Sequence, residues 1–327
     1  MINVSIIIPS SGRRLELLKR AIKSAIVVNG SIETEVLVIL NGHDGMSFDL
    51  DIAYVHPLVK YYKIQDGNVS KARNYGLKNA QGDLIRFLDD DDYLLKDVAI
   101  QQYRELFNSA AQLSTYSGDI RDDVKSYQIV TSAELNDYCA AVLSSKCPAL
   151  TFATIYKSTL IKDLRWDESL SFMEDENWMR TIAYKNITSW ITSNKAVGVW
   201  YQHQYERLSI SIGCNDFYKH RALSILQLIE HLQTNNQFTD LRKKSAALGL
   251  WSAVHGGFPF DPIWWTKISK IAINLDNTSR PEVKFFRIFY YVNPVLLEFL
   301  IFPLRRINRF IRISKNKILG SPYLRSI

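Results

Sequence analysis

Leu84-Ile85-Arg86-Phe87-Leu88-Asp89-Asp90-Asp91-Asp92-Tyr93-Leu94 is the stretch on which the reading of this chain turns. Leu84 to Leu88 is a short, mostly apolar run behind Gly82, the pattern of a buried strand. It ends in four adjacent carboxylates. These repel one another, so they need open water or a cation. At the mouth of a buried strand a cation is the better answer, and an isolated acidic loop in water is the plainer alternative. In an extended chain Asp89 and Asp91 point one way and Asp90 the other. Two carboxylates on one side suit a hard divalent ion that keeps its other positions for water and phosphate oxygens.

Upstream, Val4 to Ile8 is a β-branched run stopped by Pro9, which suits a first buried strand. Ser10, Ser11 and Gly12 form a turn and offer N-caps. Leu15, Leu18, Ala21, Ile22 and Ala25 then recur at helical spacing, with Gly30 where a C-cap belongs. Glu35 to Leu40 reads as a second strand ended by the turn Asn41-Gly42-His43-Asp44-Gly45. Strand, helix, strand in this order makes a parallel pair with a right-handed crossover. Tyr61 to Ile64 is a short third strand. Asp66-Gly67-Asn68 turns the chain into a helix over Val69 to Ala80, capped by Asn68 or Ser70 and closed by Gly82. Lys71 and Arg73 fall in its first turns, where the helix dipole disfavours cations. A bound anion would offset that, and two solvated basic residues are the alternative.

Downstream, Asp97 to Leu106 reads as helix, Leu113 to Ile120 as strand and Thr151 to Tyr156 as a further β-rich run. Glu174, Asp175 and Glu176 open a helix that runs through Tyr184, a placement the dipole alone would favour. Val197 to Tyr201 is a last strand, leading to His203, Ser209 and Ser211. Beyond about residue 215 the pattern is helical: Phe217 to Leu232, Asp240 to Val254 (broken by His255-Gly256-Gly257-Phe258-Pro259) and Pro262 to Ile273. Neither a Gly-x-x-x-x-Gly-Lys-Ser/Thr loop nor a Gly-x-Gly-x-x-Gly after a strand is present.

The 327 residues carry 47% hydrophobic and 22% charged side chains, ordinary for a folded chain with one large domain and an extension. The net charge of +7 is concentrated: residues 305–327 hold seven Lys or Arg and no acid. That points away from a nucleic-acid-binding body and towards one basic tail. Cys139, Cys147 and Cys214 show no paired or metal-type spacing, which fits a reducing compartment. The opening Met-Ile-Asn-Val-Ser-Ile-Ile-Ile-Pro reads as a strand rather than a signal peptide. Residues 285–304 are apolar and aromatic, but Arg287, Asn293, Pro294, Glu298 and Pro303 make a spanning helix a poor fit. Arg305 to Lys317 alternates basic and apolar residues as an interfacial amphipathic helix would, with a core helix and solvated basic end as the alternative. An anionic membrane surface attracts such a tail by about 1 kcal/mol per Lys or Arg.

Taken in order, the motifs resemble the inverting glycosyltransferases of family 2. These are Val4-Ser5-Ile6-Ile7-Ile8-Pro9, Ala72-Arg73-Asn74 with Gly76, Gly82 through Asp92, Trp166-Asp167-Glu168, Glu174-Asp175, and Tyr201-Gln202-His203 with Ser209 and Ser211. The resemblance covers about residues 2–212. It implies an α/β fold of the GT-A type, Rossmann-like, with a mixed, mostly parallel sheet flanked by helices, and here a helical C-terminal extension. It implies a transferase domain over 1–215 and a helical region over 216–327, with the apolar and basic stretch 285–327 at a membrane surface. Nucleotide-sugar binding then falls to Pro9, Ser11, Asn41, Lys71, Arg73, Asp89, Asp90 and His203, and Mn2+ or Mg2+ to Asp89 and Asp91. The catalytic base is Asp175, with Glu174 and Glu176 as alternatives.

Two departures matter. The second strand of the family commonly ends in Asp-Asp-Gly-Ser, where this chain has Leu40-Asn41-Gly42-His43. Asn41 keeps a donor and an acceptor for a base edge. Arg180 follows Asp175 by five residues, one fewer than the family pattern, which keeps all three acids in contention. The implied reaction moves a sugar from a nucleotide-diphosphate donor to a hydroxyl of a glycan or lipid-linked glycan. It implies surface-polysaccharide synthesis such as O-antigen or capsule, by a cytoplasmic protein peripheral to the inner face of the cell membrane. A non-catalytic nucleotide-sugar-binding protein and a metal-dependent nucleotidyltransferase are the alternatives.

Overall fold

The structure, a computed structural model, describes residues 1–122, 126, 135–146, 150–187, 190–203 and 214–319, with the side chains of 214 and 309–319 excepted. Ser209, Ser211 and Cys147 lie outside the described residues. Two compact units are present: Met1–Tyr138 with Lys146–His203, and Cys139–Ser145 with Gln204–Ile327.

The first unit is built on a mixed sheet. Its strands are β1 (Ile2–Ser10), β2 (Val28–Asn29), β3 (Ile32–Asn41), β4 (Val59–Ile64), β5 (Leu84–Phe87), β6 (Tyr93–Leu94), β7 (Leu113–Arg121), β8 (Thr154–Lys157) and β9 (Ile191–Tyr201). The order is β2-β3-β1-β5-β8-β7-β9-β6, with β4 also on β3. β4, β3, β1 and β5 run parallel, as do β7 and β9, while β2, β8 and β6 pair antiparallel. β1, the upper part of β3 and β5 are nearly continuous buried apolar runs, as a sheet covered on both faces requires. Helices Leu15–Ala25, Val69–Asn79 and Lys96–Phe107 flank it. Gly76 brings the second of these onto β1: a Cβ there would stand 2.4 Å from Ile7 Cγ2. This is the mixed α/β architecture expected, with a helical C-terminal region.

Several local expectations are corrected. β1 does not stop at Pro9 but runs to Ser10, with Pro9 opposite Ile39 of β3. The Leu88 N–H donates to the Ile7 carbonyl (3.0 Å), so Ile7 faces β5; Pro9, two residues on, faces the same side, where β5 has already ended. A missing N–H is harmless there. Gly30 does not cap the first helix, which ends at Ala25; it lies between β2 and β3 with φ +48°. The Asn41–Gly45 turn is instead the entry to a short helix, Gly42–Ser47. Thr151–Ala153 is a 3-10 turn before β8, and β9 starts six residues before the expected Val197.

In the second unit, helices Cys214–Thr234, Asp240–Gly257, Pro262–Leu275, Lys284–Ile288 and Pro294–Leu319 follow one another. The second continues through Gly256-Gly257 instead of breaking at His255. Thr239 caps it by accepting from the Arg242 N–H, and Asp261 with Pro262 at the first helical position starts the third. Gly249 explains why Cys139–Ser145 groups with these helices: a Cβ there would stand 1.9 Å from the Leu143 carbonyl oxygen. Among the described residues no helix is long and apolar enough to cross a membrane.

Candidate active site

The site forms where β1 and β5 end together. Beyond Phe87 the chain leaves the extended form, and the Asp92 N–H closes a turn on the Asp89 carbonyl (3.2 Å). The alternation of faces expected for Asp89, Asp90 and Asp91 is therefore not the arrangement found, because the run is a turn rather than strand. Asp90 is buried; its Oδ2 accepts from the Ser10 hydroxyl and its Oδ1 from Arg14 Nη2, each at 2.5 Å. Asp91 accepts from Arg14 Nη1 at 2.7 Å, and His203 Nε2 lies 2.8 Å from the same oxygen. One guanidinium thus spans two neighbouring carboxylates. Asp92 accepts the Tyr201 N–H (3.0 Å), tying the turn to the end of β9. Arg20 stacks on the Tyr201 ring at 3.8 Å and donates to the Asp91 carbonyl.

Ser10 and Ser11 do not cap the first helix; Arg14 stands at its N-cap position with no side-chain cap. The Ser10 hydroxyl is spent on Asp90 and on the Gly12 N–H. Ser11 lies half-buried in the adjoining turn, Pro9 is buried in β1, and Asn41 ends β3 with its amide donating to the Ser10 carbonyl at 3.1 Å. These three line up along the same sheet edge. Lys71 is placed elsewhere: it pairs with Asp66 (3.1 Å) in a shallow recess with Gln65, Tyr75 and Glu168.

Arg73 joins the Asp run to the second acidic cluster. It is 1% exposed and donates to Asp89 Oδ1 at 2.8 Å and to Asp175 Oδ1 at 3.0 Å, with Glu174 at 3.9 Å. The Thr151 hydroxyl stands 3.2 Å from Asp175 and 3.4 Å from Asp89. Below the guanidinium, 4.2 Å away, is the Trp166 ring, itself stacked on Trp178 at 4.6 Å, with Phe87 edge-on to both. Asn74 sets this floor by donating to the Trp166 carbonyl and Glu168 and accepting the Trp166 N–H. Consecutive residues of one helix therefore serve both halves: Arg73 the carboxylates, Asn74 the aromatic floor. Helix Glu174–Ala183 begins after Met173, whose φ of +60° turns the chain so that its first acids face Arg73.

Charge follows from this packing. Burial pushes the Asp175 carboxyl up to about 7 against the pull of Arg73, helped by Glu174 and Asp89. Burial likewise pushes Asp90 up to about 6, against Arg14. Burial opposes the charge on Arg14 and Arg73, but their carboxylate partners outweigh it and hold both above the ordinary arginine value. Asp175 also borders a mostly apolar recess walled by Phe87, Tyr156, Trp166 and Trp178. Arg14 and Thr151 were not singled out from sequence, and Ser10 and Asn74 were named there only as an N-cap and as part of the Ala72-Arg73-Asn74 motif. For Arg14 a signal existed: Arg13-Arg14 opens a helix, where the dipole disfavours cations, as at Lys71 and Arg73.

Residues 5–162 match the family described as "Glycosyl transferase family 2". That match spans just under half of the chain and supports a glycosyltransferase family 2 relationship for the first unit. Among relatives, the minor teichoic acid biosynthesis protein GgaB of Bacillus subtilis is 28% identical over 137 residues, which is 38% of this chain and 14% of that protein. The chain spans no more than 30% of the length of the curated relatives it matches. Among solved structures, S. aureus TarS 1-349 in complex with UDP covers 98% of this chain and 93% of its own, with TM-score 0.58 and 16% identity. The mannosyltransferase PcManGT from Pyrobaculum calidifontis, in complex with GDP-Man and Mn2+, covers 90% and 84%, with TM-score 0.51 and 15% identity. At such identities the likeness is one of fold, the GT-A fold.

The carboxylates available to a divalent ion at this turn are Asp89 and Asp91, which are held by different arginines. Asp89 and Asp91 keep 33% and 19% of their side chains exposed, and carboxylate oxygen is the hard donor such an ion takes. Among the described residues no group of three or more His, Cys, Asp or Glu could hold a metal alone. The protein would supply one or two carboxylates, leaving the remaining positions to phosphate and water, as Mg2+-type sites do.

Proposed function

We propose that this domain, taken as residues 1–215 with 216–327 as its helical extension, transfers a sugar from a nucleotide-diphosphate donor to a hydroxyl of a glycan or lipid-linked glycan, inverting the anomeric carbon. The observation that carries the reading is Arg73, which holds Asp89 at the end of β5 and Asp175 at the head of a helix on one buried guanidinium. Donor-side and acceptor-side carboxylates are thereby set around a single point.

Asp175 is the base. Its raised proton affinity makes it a competent acceptor near neutral pH, and it borders a small recess walled by aromatic side chains. It takes the acceptor hydroxyl proton as that oxygen attacks the anomeric carbon. The carbon–oxygen bond to the diphosphate breaks, and its electron pair goes to the leaving phosphate. Attack opposite the leaving group inverts the centre. Mn2+ or Mg2+, held by Asp89 and Asp91, would neutralise charge on the diphosphate. Arg14 and His203, both against Asp91, add positive charge or a donor on the same side. Asp90 keeps Arg14 in place, and Pro9, Ser11 and Asn41 form the edge on which the nucleoside rests. Lys71 offers a charge at the rim.

The GgaB and TarS likenesses support a surface-polymer acceptor, and the basic segment 305–327 supports work at an anionic membrane surface from the cytoplasmic side. The test is incubation with a panel of nucleotide-sugars, Mn2+ and a membrane lipid extract. Sugar transfer is expected with at least one donor. Binding without transfer or hydrolysis across the panel overturns catalysis, and nucleotidyl transfer would reassign the chemistry.

A further inference from the structure

Helix Pro294–Leu319 presents two contrasting faces. Leu297 and Glu298 are buried, at 2% and 0% exposure. Glu298 is clamped from both sides: His255 Nδ1 stands 2.7 Å from one oxygen and Arg305 Nη1 donates to the other at 3.0 Å. A carboxylate buried this fully is held by its partners, since leaving it unpaired would be costly. The clamp therefore sets the roll of the helix against Asp240–Gly257. With that roll set, Leu296, Phe299, Leu300, Leu304 and Ile307 point out, each between 49% and 63% exposed. Their spacing of three, four, four and three residues from Leu296, Phe299/Leu300, Leu304 and Ile307 makes one stripe.

We infer that this stripe is a lipid-insertion surface, with an anionic bilayer as its occupant. The choice of a bilayer over a second protein copy rests on charge. Arg306 is exposed beside the stripe, and Arg309, Arg312, Lys315 and Lys317 continue the same helix with no acid after Glu298. A surface pairing with its own copy would bring these cations together; an anionic lipid surface neutralises them. Tyr291, 99% exposed just before the helix, is of the residue type that settles at a headgroup interface. The inference deepens the membrane-surface part of the proposed function. It moves the anchoring apolar contact upstream of the basic tail, into 296–307.

The full chain is to be floated with phosphatidylglycerol/phosphatidylcholine vesicles at low salt and at high salt. Partition is expected to fall with salt yet retain a salt-resistant part, since insertion is not screened. The double variant Leu300→Ser/Leu304→Ser is expected to lose about tenfold or more of that part while its thermal melt is kept. Leu304→Trp, which keeps the apolar face, is expected to match or exceed the parent, an outcome misfolding cannot produce. The inference is overturned if the serine variant partitions like the parent, if high salt abolishes binding entirely, or if sedimentation shows a dimer that the serine variant dissolves. Sugar transfer without vesicle binding would overturn the insertion surface and leave the transferase standing. Vesicle binding without transfer does the reverse.

Discussion

The four aspartates after β5 and the three acids that open helix Glu174–Ala183 are the same chemistry met twice, and they are held in different ways. On the β5 side the carboxylates are divided between two cations. Asp90 and Asp91 share Arg14, and Asp89 takes Arg73. On the helix side, Arg73 gives Asp175 a hydrogen bond while Glu174 stays at 3.9 Å, and the same guanidinium also serves Asp89. Asp91, Asp89 and Asp175 alike keep part of their surface in water. Burial beside aromatic rings comes first in raising the proton affinity of Asp175, with the like charges of Glu174 and Asp89 adding to it against the pull of Arg73. Asp90 is raised in the same way by burial, against Arg14. Burial of each carboxyl, more than the number of arginines near it, sets how readily it holds a proton.

The largest break in that comparison comes from Asp175→Asn, which keeps the shape and removes the proton acceptor. Turnover is expected to fall by about two to four orders of magnitude, with binding of the donor's nucleoside diphosphate by calorimetry nearly unchanged. Glu174→Gln and Glu176→Gln are the controls. A dead glutamate variant beside a working Asp175→Asn would move the base to that glutamate. Asp91→Asn attacks the other side. It is expected to lower turnover by about 10²–10³ and, unlike the first variant, to weaken nucleoside-diphosphate binding when Mn2+ is present. Asp90→Asn should weaken it less, through Arg14.

Arg73→Leu tests the point where the clusters meet. Removing a buried cation leaves Asp89 and Asp175 facing each other, and the loss is expected to be about 3–5 kcal/mol in urea unfolding. An unfolding midpoint within error of the parent would mean the pair does not depend on it. A pH profile sharpens the contrast. Because the base works deprotonated and its pKa lies at about 7, kcat/KM should fall about tenfold per unit below that pH and level off above it. Glu174 raises that pKa by like charge, so Glu174→Gln should shift the acid limb to lower pH. A limb that stays in place would show that Glu174 does not act on the base. The smallest effect is expected for Asn74→Ala, about 1–3 kcal/mol, from the broken hydrogen bonds to the Trp166 segment.

What sequence by itself determined here is whatever depends on near neighbours. The β-branched run at Val4–Ile8, the helical spacing after Leu15, the capped helix at Asn68 and the acid-rich start at Glu174 are local patterns, and each appears as the expected element. The motif residues Arg73, Asp89, Asp91, Asp175 and His203 could be picked out from sequence, and the structure puts Arg73 against Asp89 and Asp175, and His203 against Asp91. Tertiary structure decided who pairs with whom. Arg14 meets Asp91 across 77 residues, and Arg73 meets Asp175 across 102, distances over which a sequence carries no register. It decided that Asp90 is buried while Asp91 is not, since a turn rather than a strand follows Phe87. It decided that Cys139–Ser145 joins the C-terminal helices, through the bare backbone of Gly249. And it decided which side of helix Pro294–Leu319 faces out: apolar residues occur on both sides of its sequence, and only the clamp on Glu298, made by a histidine 43 residues away and an arginine two turns along, selects one.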